Sequence, residues 1–216
     1  MVRFVITADD LRKSVADAVA ALETVVDTDW DVRALDSEWD CRETIDHIAD
    51  DLFAYAVQLG PRPTPQESYL PFAYTIKHEG GPALSVWADP AAGNPGSIQV
   101  LAAAGALLAA MVQTSPPELR AFHPFGLADP EGWAAIGLVE LIVHMRDVAG
   151  ALGAAWRPDE DLCGRILDRV FAPAPLPDGG SRWDTLLWAT GRASWDGAPK
   201  LEKWRWWCAP LDEQVA

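Results

Sequence analysis

PEGWAAIGLVELIVHMRDVAGALG, residues 130–153, decides the fold. Asp129 ahead of it suits an N-cap, Pro130 suits the first helical position and Gly153 suits the stop, so the stretch reads as one helix. At about 100° per residue, Leu138, Val139, Leu141, Ile142, Met145, Val148 and Leu152 point in nearly every direction. A helix that is apolar most of the way round is a buried one. Yet Glu140, His144 and Asp147 fall on one narrow stripe, beside Gly137. Carboxylates and imidazoles are expensive to bury unless paired or bound to a metal. That stripe therefore requires a partner from elsewhere in the chain, or a cation.

Working outward, three more long helical patterns appear. The first runs from about Ala8 to Val25 behind Thr7, with Leu11, Val15, Val19 and Leu22 as its stripe. The second runs from Cys41 to Leu59, capped by Asp40 and stopped by Gly60-Pro61, with Ile45, Ile48, Leu52, Tyr55, Ala56 and Leu59 on its apolar side. The third spans about Gly96 to Thr114. Between the second and third, PRPTPQESYLP reads as loop. FAYTIKHEGGPALSVWA then reads either as a hairpin turning at Gly80-Gly81 or as an irregular lid. After Gly153 come a shorter helix in PDEDLCGRILDRVF, a linker APAPLPDGGS, a helical RWDTLLWATGR and the ending KLEKWRWWCAP, where Trp204-Arg205-Trp206 alternates like a strand. The expected fold is mainly α. Residues 1–172 form an antiparallel four-helix bundle with a site between facing helices, and 173–216 form a linker and Trp-rich α/β extension packed on it.

Half of the 216 residues are apolar, enough for a sizeable core, and the net charge is −15. That balance argues against nucleic-acid binding and against docking on anionic lipid. MVRFVITADDLRK reaches charge before any long apolar run, so no signal peptide is expected. The uncharged, Ala- and Gly-rich stretch within Ala91–Glu118 reads as a buried helix rather than a membrane span. Cys41, Cys163 and Cys208 are scattered singly, which points to a reducing cytoplasm and excludes a zinc ribbon. None of the three has a histidine base in register. Six of the eleven tryptophans lie between Trp183 and Trp207 and read as core and lid packing.

Of four histidines, two lie on expected helices with a glutamate four residues earlier: Glu43–His47 and Glu140–His144. Positions i and i+4 share a helix face, so each pair can aim at one centre. Eleven glutamates and four histidines would supply roughly 0.2 such pairs by chance, against two found. For His144 the alternative is a core histidine satisfied by a carboxylate. For His47 it is a solvated face, since Asp50, Asp51 and Gln58 lie on the same side. His78 and His123 fall in loops without a spaced partner and read as surface or supporting residues.

DWDVRALDSEWDCRETIDHIADDL, FHPFGLADPEGWAAIGLVELIVHMRDVAGALG and LLWATGR together resemble the mycothiol-dependent maleylpyruvate isomerase family, over about residues 8–192. The signals are W-x-C-x-x-x-x-D-H and E-x-x-x-H-x-x-D in this order and separation. The resemblance implies a DinB-like bundle holding a divalent metal, usually zinc, through His47, Glu140 and His144. Glu43 is then a neighbour, and Asp147 orients an imidazole or closes the pocket. It further implies that the thiol of mycothiol, as co-substrate, reacts with a small electrophilic molecule. Arg192 suits an anionic group of cofactor or substrate, or else a salt bridge anchoring the carboxy-terminal segment. The family's isomerases carry a larger carboxy-terminal domain than the roughly 35 residues after this linker. Thiol transfer is therefore the expected activity, with isomerisation as a special case. A non-enzymatic metal-binding or regulatory bundle and a metal-dependent hydrolase remain as alternatives, and the protein is expected to be a monomer or homodimer.

Overall fold

The computed structural model describes residues 5–174, 176–177, 179–195 and 198–214. Residues 1–4, and Pro175 and Asp178 of the expected linker, lie outside that description. Among the described residues there are six α-helices: α1 (Ala8–Glu23), α2 (Cys41–Gln58), α3 (Gly93–Thr114), α4 (Pro130–Leu152), α5 (Glu160–Val170) and α6 (Arg182–Ala189). The protein is mainly helical. Thr7 and Asp40 each close a reciprocal capping box, with Asp10 and Glu43 respectively. Asp129 accepts from the Gly132 N–H, and Gly153 ends α4 at φ 74°, where a side chain would be strained. The third helix starts earlier than its apolar pattern shows, because a 3-10 turn over Pro90–Ala92, capped by Asp89, leads straight into it.

Four long helices pack together, α1 and α2 each against α3 and α4, while α5 lies on α4 and α6. Gly137 permits a close approach: a Cβ there would stand 2.7 Å from Leu108 and 3.2 Å from Leu52. The segment Pro90–Thr114 is long and apolar enough to cross a bilayer. Here it packs as a core helix, burying Ile98, Leu101, Leu108 and Ala109.

The excursion between α2 and α3 contains the hairpin at its shortest. β1 (Thr75–Ile76) pairs antiparallel with β2 (Ala83–Leu84), with Thr75 opposite Leu84. Its larger effect is to bury the polar face of α2. Asp50 Oδ1 accepts from the Ser85 and Val86 N–H groups, both at 2.8 Å. Asp46 accepts from the Ala88 N–H and the Lys77 ammonium. Gln58 donates to the Ser68 and Phe122 carbonyls and accepts from the Leu70 N–H. The reading of this face as solvated is therefore overturned: its acids are there to satisfy backbone donors of the covering loop.

The carboxy-terminal segment is anchored by Arg169, 1% exposed, which donates to the Ala209 and Cys208 carbonyls and to Asp129. The expected strand at Trp204-Arg205-Trp206 does not form, so the extension carries no sheet there. The local backbone has no partner strand: the Trp207 N–H turns to the Val170 carbonyl, and the Arg205 guanidinium lies over the Phe125 and Trp207 rings. A Cβ on Gly132 would fall 2.2 Å from the Cys208 carbonyl oxygen and 2.9 Å from Arg169. Gly132→Ala is accordingly expected to lose about 1–3 kcal/mol of stability by forcing the terminal segment off α4, seen as a lower urea midpoint.

Candidate metal centre

His47 on α2 and Glu140 and His144 on α4 bring three donor atoms within 4.8 Å of one another. Glu140 Oε2 lies 3.2 Å from His144 Nε2 and 3.7 Å from His47 Nε2. Around a tetrahedral ion with bonds of about 2.0–2.1 Å, neighbouring donors stand about 3.4 Å apart. The donor set and its spacing thus fit one small divalent cation. The His47 and His144 rings meet edge to face at 5.0 Å between centroids. Both imidazoles and the carboxylate are nearly shut from solvent, their side chains 19%, 12% and 12% exposed.

Trp39 roofs the triad, its ring 4.7 Å from His47 and 6.3 Å from His144. Its indole N–H donates to the Gly80 carbonyl, so the hairpin turn is tied over the site. Asp51, one turn beyond His47, places Oδ2 3.5 Å from His47 Nε2. Asp147 is completely buried and clasped by two guanidinium groups, Arg192 at 3.0 Å and Arg146 at 2.8 Å. Its distance to His144 Nδ1 is 3.9 Å, beyond a hydrogen bond, so its contact with the imidazole is electrostatic. Arg192 is engaged with Asp147, as the salt-bridge reading supposes, and lies 3.4 Å from His144 Nδ1. Arg146 bridges Asp147 and Asp36.

The remaining candidates separate from this centre. Glu43 turns away from His47 to cap α2 and to meet His78 Nε2 at 2.5 Å. His78 is therefore partnered rather than idle. His123 is not a surface residue: it is 5% exposed and packed among the rings of Tyr55, Tyr69, Phe125, Trp133 and Trp206. Burial pushes its pKa down to about 4, leaving it neutral. All three cysteines are buried, and burial pushes each thiol up to about 12. Sequence reasoning missed Trp39 and Asp51 as neighbours of the triad. Asp51 is legible at i+4 from His47, but Trp39 precedes the helix and no periodicity places it.

A cavity of about 590 Å³ lies between α1 and α5 and touches none of the three donors. A second, of about 510 Å³, is lined by Asp51 and so adjoins the centre.

The chain matches the family model described as the mycothiol maleylpyruvate isomerase N-terminal domain over residues 10–149, which takes in all three donors. It belongs to this family. Comparison with curated proteins and with solved structures gives no significant match. In this member of the mycothiol maleylpyruvate isomerase family, the charges of the triad are strongly interdependent. Burial works against a charge on His47, but the carboxylates of Asp51 and Glu140 reverse it and raise the pKa to about 9. Burial pushes Asp51 up to about 7. Burial also opposes the charge on Glu140, yet the two imidazoles hold its carboxyl well below the usual range. Burial, with His47 and Arg192 nearby, lowers His144.

A folded-state pKa above the unfolded one means that His47 contributes stability fully below about pH 6.5 and loses it as pH rises through 9. The melting temperature of the metal-free protein is expected to fall between those values. His47→Gln should flatten that slope in a calorimetric pH series.

Proposed function

We propose that the protein is a metal-dependent thiol transferase that uses mycothiol as co-substrate on a small electrophilic molecule, with isomerisation as a special case. The observation that carries this is the convergence of His47, Glu140 and His144 on one point from two helices. We read the four packed helices as the DinB-like antiparallel bundle that such a site requires, with the Trp-rich segment as its carboxy-terminal buttress. Three protein donors leave a coordination position free, as a catalytic rather than structural zinc site does. A divalent ion held there supplies a Lewis acid that favours the thiolate form of a bound thiol.

The chain's own residues support that chemistry in three ways. Its cysteines are buried and protonated, so the reacting thiol must come from outside. Trp39 and the hairpin turn exclude water from one side of the triad. Asp147, held by Arg146 and Arg192, fixes the carboxy-terminal turn of α4 beside His144. Zinc as the metal, a small-molecule partner and a reducing cytoplasm complete the proposal. The three unpaired thiols favour the last of these.

Metal analysis of the purified protein should find one divalent ion per chain, and His144→Ala should abolish it. Stoichiometric zinc in that variant would disprove the ligand assignment. With the metal in place, consumption of an electrophile should depend on added mycothiol. Turnover without thiol would indicate a hydrolase, and loaded metal without either turnover would indicate a binding module.

A further inference from the structure

The cavity of about 510 Å³ beside the triad has a chemistry of its own. On α2, His47, Asp51 and Tyr55 stand at i, i+4 and i+8, a single row leading from the metal centre into the cavity. The outer wall is aromatic: Phe53, Tyr69, Phe72 and Tyr74 line it, and the Phe53 and Phe72 rings meet at 5.6 Å. Phe72 and Tyr74 are 49% and 67% exposed, an unusual placement for rings that could pack elsewhere. Among the described lining residues there is no lysine, arginine or histidine, while two carboxylates, Asp50 and Asp51, border the space. Asp50 is already satisfied by two backbone N–H groups.

Tyr55 is the residue that points to a ligand. It is 6% exposed and lines the cavity, and among the described residues its hydroxyl makes no hydrogen bond. A phenol O–H that borders a cavity without a protein acceptor is a ready donor, and an acceptor on a ligand completes it with a net hydrogen bond. Burial raises its pKa well above 10, so it stays a donor.

We propose that this cavity binds the electrophilic substrate as an uncharged aromatic carbonyl compound, with its ring against Phe53 and Phe72 and its oxygen accepting a hydrogen bond from Tyr55. This rests on the thiol-transfer reading for the word substrate, but the binding preference stands on the cavity alone. A dicarboxylate finds no cationic partner among the described lining residues, so the acceptor class differs from an anionic keto acid.

The test uses the zinc-loaded protein and probes sharing one ring: acetophenone, benzoate, benzylamine and ethylbenzene, compared by ligand-detected NMR. Acetophenone should bind most tightly and benzoate least. Tyr55→Phe should weaken acetophenone about three- to tenfold while leaving ethylbenzene unchanged, as loss of one net hydrogen bond predicts. Its melting temperature should be nearly unchanged, because the hydroxyl makes no hydrogen bond among the described residues. Phe72→Ala, at an exposed position, should weaken both neutral probes. Equal or tighter binding of benzoate, preference for benzylamine, or an unaltered acetophenone affinity in Tyr55→Phe would each overturn the proposal. The readout needs no thiol, so absent mycothiol turnover alongside the expected binding order would refute the transferase reading alone.

Discussion

A carboxylate in the middle of an apolar helix must be answered, and the centre of this protein is arranged around that requirement. Glu140 sits on α4 where its neighbours along the chain are fully buried aliphatics. Isolated, an ion there would be far too costly to keep. Two imidazoles supply the answer, one from its own helix and one from α2, and their approach fixes how α2 lies on α4. The absence of a side chain at Gly137, one turn away, lets α2 and α4 close together there. Packing and polar chemistry here are one constraint.

The same pattern recurs at both ends of α4. Near its start, Asp129 is met by Arg169, and near its end, Asp147 is met by Arg146 and Arg192. Arg169 and Arg192 come from the α5–α6 part of the chain, so the segment after the four long helices neutralises acids of the central one. Removing one partner of a buried pair leaves an uncompensated charge, which is far more damaging than never having had the pair. The terminal region is thus tied to the site electrostatically, through α4, as well as by its tryptophans.

Much of this was legible in the chain. The caps of α1, α2 and α4 announce their starts by residue type, and the period of α4 isolates the stripe that carries Glu140, His144 and Asp147. What the pattern could not show was the fate of a polar face. Asp50 and Gln58 look like solvent-facing residues because polarity alone does not distinguish water from a backbone N–H. Their partners lie 10 to 64 residues away, all but Phe122 in a loop with almost no regular structure. Trp39 and His123 escaped for a related reason, since a residue outside a periodic element has no face to assign. The strand expected from Trp204-Arg205-Trp206 failed because alternation predicts pleating only where a second strand exists to pair with it.

The way α2 grips its covering loop has an evolutionary corollary. Asp50 holds Ser85 and Val86, and Asp46 holds Ala88, through their main-chain amides. These amide clasps are blind to the side chains at Ser85, Val86 and Ala88. Phe72 and Tyr74, hanging from the same excursion, are free to be rewritten by mutation without loosening the lid. Descendants of such a chain can diverge in what they accept while inheriting an unaltered triad.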